Sequence, residues 1–170
     1  FLCRSACPEG ASYDLLCTYE CVEIDLIVSG SGIHQIANQS IPCTAGDIYV
    51  LQSDVPHGFF VKESGEAMEI RRLFFDPVGW FGGDVTDPES SRFCYGIFSD
   101  GSMIAYAMLN TKTQNEVVSL YDRIQTELYD PKPEWQDSLR AYLTLLLITV
   151  GRYVNRAIKN LPGFSPKEWK

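Results

Sequence analysis

Hydrophobic and polar positions alternate with period two through the first half of the chain and fall into helical stripes in the second. From Tyr13 to Asp76 the runs are short and broken by turn residues. Tyr19 to Val28 alternates and stops at Ser29-Gly-Ser-Gly32, Asp47 to Leu51 follows Ala45-Gly46, and Gly58 to Lys62 and Ala67 to Phe75 flank the polar turn Glu63-Ser-Gly-Glu66. Ile33 to Ala37 and Ser40 to Cys43 flank Asn38-Gln39, which reads as a two-residue hairpin turn because Asn tolerates positive φ. Strands this short, roughly ten residues apart, predict a barrel or sandwich. Residues 77–111 are rich in Gly, Asp and aromatics and read as loop plus one or two strands, Ile104 to Leu109 among them.

Helical periodicity then takes over. Val117, Leu120, Tyr121, Ile124 and Leu128 recur at helical spacing, with Thr111 or Thr113 placed to cap the start and Asp130-Pro-Lys-Pro133 to stop it. Leu139, Leu143, Leu146, Val150, Tyr153 and Ala157 make a second stripe over about Glu134 to Lys159, a helix roughly 39 Å long at about 1.5 Å per residue. Strands followed by a helical hairpin predict a segregated α+β fold. Leucines at 143, 145, 146 and 147 offer more apolar surface than one small barrel covers. A homodimer is therefore expected, an isologous two-fold contact through Leu139, Leu143, Leu146, Leu147 and Val150.

At 170 residues and 45% hydrophobic, the chain suffices for one compact domain with a helical appendage. Its net charge of −8 is uneven: residues 1–100 hold 15 acidic against 5 basic side chains, residues 101–170 hold 7 against 9. Neither half has the basic field that holds a phosphate backbone, so this chain alone is not expected to bind DNA. The longest apolar run, Leu145 to Ile148 with Tyr142, Leu143 and Val150 beside it, is too short and too interrupted to cross a bilayer. The six cysteines, at 3, 7, 17, 21, 43 and 94, are not in the spacing of a zinc knuckle. Cys17 and Cys21, if on one strand, stand roughly 13 Å apart, too far to bridge. Reduced, mostly buried thiols in a cytoplasmic protein are expected.

No nucleophile elbow, phosphate loop or H-E-x-x-H motif is present. Two other stretches carry the candidate chemistry. Cys17-Thr-Tyr19-Glu-Cys-Val-Glu23 is followed after six residues by Gly30-Ser-Gly32, and Gly46-Asp47-Ile-Tyr-Val-Leu-Gln52-Ser-Asp54-Val-Pro56-His57 closes the pattern. Together they resemble the two cupin motifs, roughly H-x-H-x(3)-E-x(6)-G and G-x(5)-P-x-G-x(2)-H. Glu23, Gly30, Gly46 and His57 fall in register. Cys17 and Tyr19 stand at the two histidine positions of the first motif, and Gln52 and Asp54 at the prolyl and glycyl positions of the second. A barrel that has lost two of three histidines is expected to bind rather than to catalyse with a metal, and no cofactor is expected.

Glu23 shares a strand face with Cys17, Tyr19 and Cys21, since side chains alternate. If that face is the interior, a carboxylate and a phenol project into an apolar cavity and suit the hydroxyls of a small polar ligand. Equally, Glu23 could be a structural partner of Arg71 or Arg72, of which only one can face inward; the inward one is a candidate anchor for an acidic ligand. His57 reads as pocket lining, as a structural loop residue or as a metal ligand. His34 joins the candidate ligand-binding set of Cys17, Tyr19, Glu23, His34, His57 and Arg71, although its position just past the Gly30/Gly32 turn suggests a partly exposed strand residue. Gly30, Gly32 and Gly46 are expected to supply positive φ at turns.

The phrases Glu23-Ile-Asp-Leu-Ile-Val-Ser-Gly-Ser-Gly-Ile-His34, Ala45-Gly-Asp-Ile-Tyr-Val-Leu51 and Val55-Pro-His57 resemble the N-terminal effector-binding domain of AraC-type transcription regulators. The resemblance covers residues 17–76 by motif and 110–159 by pattern. It implies a cupin-like β-barrel (a double-stranded β-helix) over 17–111; residues 1–16, irregular in composition, are expected to form an arm before it. A helical dimerisation hairpin over 112–160 and a linker over 161–170 would follow, leading to a helix-turn-helix domain outside this chain. It also implies a small polar effector, a sugar among the candidates, controlling DNA binding through that domain, with no membrane partner. The alternative is a metal-dependent cupin enzyme, an isomerase or dioxygenase, with Cys17, Glu23 and His57 on one ion.

Overall fold

The computed structural model describes residues 2–7, 12–14, 21–36, 39–52, 55–61, 67–81 and 104–157. Its strands are β1 (Leu2–Cys7), β2 (Ser12–Asp14), β3 (Val22–Ser29), β4 (Ser31–Ile36), β5 (Gln39–Thr44), β6 (Asp47–Leu51), β7 (His57–Phe60), β8 (Met68–Phe75) and β9 (Ile104–Met108). The helices are a short α1 (Pro77–Phe81), then α2 (Thr111–Tyr129) and α3 (Trp135–Ala157). One sheet has the order β1-β8-β3-β6-β9 and the other β2-β7-β4-β5, with antiparallel pairing throughout.

β3 and β6 are buried on both faces: Val22 to Ile27 and all of Asp47 to Leu51 are inaccessible, although β3 carries Glu23 and Asp25 between its apolar positions. Val22, Ile24 and Leu26 of β3, Ile48 and Val50 of β6, and Leu73 and Phe75 of β8 pack against Val117, Tyr121, Leu143, Leu146 and Val150 of the helices. The opposite face sends Ile27, Tyr49, Leu51, Met68 and Ile70 toward Ile36, Cys43 and Phe59 of the second sheet. Helices, sheet and sheet thus form three layers, with a second interior between the two sheets. This is the α+β, cupin-like arrangement that the motifs imply, with the helix pair after the strands.

The helix pair is fixed to the sheet by specific bonds. Asn110, rather than Thr111 or Thr113, caps α2, its side chain accepting from the Thr113 N–H at 3.0 Å. The buried Tyr121 hydroxyl donates to the Ile24 carbonyl at 2.8 Å, and the Gln114 amide to that of Val28 at 2.9 Å. Residues 130–134 turn the chain back, and α3 spans 23 residues, about 34 Å. The Arg123 guanidinium of α2 lies 5.6 Å from the Tyr142 ring of α3. Among the described residues, no helix is long and apolar enough to cross a membrane.

Three local expectations change. Ile36 pairs with Gln39, so Gln39 belongs to β5 rather than to the hairpin turn. Pro77–Phe81 is helical where loop was expected, because Pro fits a first helical position. Gly30 and Gly46 do adopt positive φ, +80° and +96°, but Gly32 serves close approach instead: a Cβ there would meet the Phe60 carbonyl oxygen at 2.4 Å.

Candidate functional site

The interior between the sheets is apolar except for one cluster of polar side chains, and strand alternation explains how they meet. From Glu23, period two carries Asp25 and Ile27 to the same face of β3; from Met68 it carries Ile70 and Arg72 to the same face of β8. Asp25 and Arg72 are direct cross-strand partners, and Asp25 Oδ1 lies 3.6 Å from Arg72 Nε with both side chains buried. On the facing sheet His57 and Phe59 of β7 stand beside His34 and Ile36 of β4, where His34 pairs with Phe59 and His57 with Ile36. Tyr49 of β6 completes the wall, its ring 4.3 Å edge-on to His34, while Phe59 stacks on His34 at 4.0 Å. Arg72 lies over the Phe59 ring at 5.1 Å.

At the centre His57 Nε2 lies 3.2 Å from Glu23 Oε2 and 3.7 Å from Asp25 Oδ2, the three side chains being at most 2% exposed. These are ion-pair distances, but none of the three atoms has a hydrogen bond of good geometry. His57 Nδ1 is 2.9 Å from the Val55 carbonyl oxygen, which can only accept, so Nδ1 carries a proton and donates it there. The other buried atoms of Glu23 and Asp25, both ring nitrogens of His34 and the Tyr49 hydroxyl likewise lack hydrogen-bond partners among the described residues. Glu23, Asp25 and His57 each offer one ligand atom within 4.8 Å of the other two, so the three side chains could hold a metal together.

Burial, reinforced by Asp25, pushes the Glu23 carboxyl up to about 7 against the opposing pull of His57 and Arg72. Burial pushes Asp25 the same way, but Arg72 and His57 outweigh it and hold that carboxyl below its ordinary range. For His57, burial disfavours the proton; the facing carboxylates of Asp25 and Glu23 overcome it and raise the imidazole to about 10. Burial, with the neighbouring His57, holds His34 well below its usual value and keeps it neutral. Burial also raises the phenols of Tyr49 and Tyr106. Tyr106 donates to Asp47 Oδ1 at 2.8 Å while Asp47 Oδ2 accepts from the Thr44 N–H, which fixes the turn before β6.

Of the six residues read from the sequence as ligand-binding, Glu23, His34 and His57 meet in this interior. His34 is fully buried rather than partly exposed, because β4 lies between β5 and β7 and turns that side chain inward. Arg71 projects from the opposite face of β8 and pairs with Asp122 of α2, leaving Arg72 as the inward arginine. Cys17 and Tyr19 lie outside the described residues. Asp25, Tyr49 and Phe59 were missed, although each is two residues along the same strand face from Glu23, Leu51 or His57. Leu139, Leu143, Leu146, Leu147 and Val150 are buried within the subunit against the sheet, whereas Leu128, Tyr129 and Leu145 are the large apolar side chains that the helices leave exposed.

ToxT from Vibrio cholerae strain SCE256, as the apo K231A protein, superimposes with a TM-score of 0.58 at 12% identity, covering 89% of this chain and 55% of that one. Wild-type ToxT from the same strain, bound to an unsaturated fatty acid, gives 0.57 at 15% identity over 91% of this chain and 55% of that one. ToxT from strain O395 bound to (E)-4-(8-methylnaphthalen-1-yl)but-3-enoic acid gives 0.55 at 12% identity, over 91% and 57% respectively. The chain therefore spans about half the length of the solved structures it matches. No protein-family model and no curated protein sequence matches it. The likeness in fold extends over strands and helix pair together, as the AraC-type resemblance implies.

Proposed function

We propose that this chain is the effector-binding domain of an AraC-type transcription regulator, binding a small polar molecule between its two sheets. One observation carries the proposal. Five side chains, Glu23, Asp25, His34, Tyr49 and His57, bring polar atoms that lack hydrogen-bond partners among the described residues into an apolar interior. Buried polar groups left unsatisfied cost about 1–3 kcal/mol each, so a fold that gathers several in one place reserves them for something that enters. Ligands of this kind take few polar contacts on an apolar wall, and His34, Tyr49 and Phe59 supply such a wall.

The charge of the interior selects the ligand. Two ToxT structures hold an unsaturated fatty acid and a butenoic acid, both carboxylic acids. Here the interior cations, Arg72 and His57, already face Asp25 and Glu23. Hydroxyls would donate to those carboxyl oxygens and accept from His57, and need no further cation. A sugar or another polyhydroxylated metabolite therefore fits better than an acid. Binding acts on DNA only through a helix-turn-helix domain beyond this chain, by favouring one arrangement of the helix pair. The domain works as a homodimer through the helical layer, where Leu128, Tyr129 and Leu145 remain exposed.

The test is a melting-temperature screen of the purified chain against monosaccharides, polyols, aromatic carboxylates and long-chain fatty acids. A sugar or polyol that raises the midpoint in the wild type and not in Tyr49→Phe or Asp25→Asn supports the proposal. A response confined to the acids, or one unchanged in both variants, contradicts it.

A further inference from the structure

Glu23 and Asp25 bring their carboxyl groups to one edge of the His57 ring, with all three side chains buried. The geometry points to a divalent transition-metal ion held by Glu23 Oε2, Asp25 Oδ2 and His57 Nε2, the ion taking the place of a proton on Nε2. The cupin motif itself does not provide this set. Two of its histidine positions are Cys17 and Tyr19, while Asp25 lies two residues beyond the motif glutamate and adds an oxygen the motif lacks.

Five features support a metal. The Nδ1 bond to the Val55 carbonyl orients the ring and leaves Nε2 facing the carboxylates, the usual second contact of a metal-bound imidazole. Metal–nitrogen and metal–oxygen bonds of about 2.0–2.2 Å place neighbouring ligand atoms roughly 3.0–3.5 Å apart. The Nε2–Oε2 and Nε2–Oδ2 separations are 3.2 and 3.7 Å, one inside that range and one slightly beyond it. A proton shared from Nε2 would instead be expected to align a hydrogen bond, and none is aligned. Asp25 uses Oδ1 toward Arg72, so Oδ2 is oriented from outside the site as metal-binding carboxylates are. Beside the trio, fully buried His34 presents two nitrogens that lack hydrogen-bond partners among the described residues, 5.5 Å ring to ring from His57, polar atoms available to a bound water or ligand.

One imidazole and two carboxylates favour Mn²⁺, Fe²⁺ or Zn²⁺ over thiolate-seeking ions. The site does not depend on what the domain regulates, and its test uses the metal alone. The chain, freed of metal with a chelator and dialysed, is titrated with Mn²⁺ by calorimetry and with Co²⁺ by visible absorption. Mn²⁺ is chosen because the six cysteines compete poorly for it. One saturable equivalent of Mn²⁺ is expected, weakened by roughly a hundredfold or more in Glu23→Gln and Asp25→Asn, since even outer-shell partners are worth about 10–100-fold. Asp122→Asn, on the outer face of the sheet, is expected to bind as the wild type does. If either interior variant fails to fold, the wild-type Co²⁺ spectrum decides: nitrogen–oxygen bands alone support the site, and thiolate charge-transfer bands overturn it. Absence of saturable Mn²⁺ binding, or equal affinity in folded Glu23→Gln, also overturns it.

Discussion

Asp25 and Arg72 face each other directly in the β3–β8 register, 3.6 Å apart and almost wholly buried, while the adjacent Arg71 points the other way to the half-exposed Asp122. Two neighbouring arginines therefore serve opposite faces of one strand. Removing one partner of a buried pair strands the other charge, at about 3–5 kcal/mol. Arg72→Met is expected to lose that much by chemical denaturation. The double variant Asp25→Asn/Arg72→Met is expected to lose clearly less than the two single losses combined. Asp122→Asn is expected to cost at most about 1 kcal/mol, because solvent screens that pair.

Tyr121→Phe isolates one helix-to-sheet bond. The hydroxyl reaches the Ile24 carbonyl at 2.8 Å from a fully buried ring. Its loss is expected to cost about 0.5–1.5 kcal/mol without changing ligand or metal binding, since Ile24 faces the helices and not the interior.

Gly32→Ala is expected to be more damaging than its small volume change suggests. The added methyl would lie 2.4 Å from the Phe60 oxygen, so β4 or β7 must shift, and both carry interior residues. A loss of about 1–3 kcal/mol or more is expected from such overpacking, with weakened ligand response in the screen.

The interior cluster also sets a pH dependence in the metal-free chain. His57, raised from 6.5 to about 10, stabilises fully below 6.5 and loses that contribution as pH climbs toward 10. Glu23, raised from 4.5 to about 7, likewise favours the protonated fold, so stability falls as pH rises through 4.5 to 7. Asp25, lowered from 3.8, contributes above that value and loses its contribution only as pH falls below it. With chelator present, the melting temperature is expected to fall from pH 5 to pH 9, and less steeply in His57→Gln. A wild-type melting temperature that rises over this interval would contradict the cluster's electrostatics.

The parts of the fold set by periodicity were legible in the sequence. The stripes of Val117–Leu128 and Leu139–Ala157 mark helices whatever they pack on, and Gly46-Asp47 marks the start of β6 because that turn needs positive φ. Which face of each strand is inside was less legible, because β3 and β6 are buried on both faces, and the β3 face carrying Glu23 and Asp25 looks like a solvent face by alternation alone. That choice comes from pairing: Asp25 is interior because Arg72 opposes it, and His34 because β4 lies between β5 and β7. The cap at Asn110 escaped because Asn110, Thr111 and Thr113, within four positions of one another, offer similar capping chemistry and only the backbone distinguishes them.

Native mass spectrometry of the chain purified directly from cells, set beside its denatured mass, tests the central claim most directly. A folded chain carrying a small organic molecule, absent from the folded Asp25→Asn and Tyr49→Phe variants, is the result expected of an effector-binding interior. A bare mass that stays bare after incubation with each monosaccharide and polyol of the screen, or an adduct that both variants retain, would contradict it.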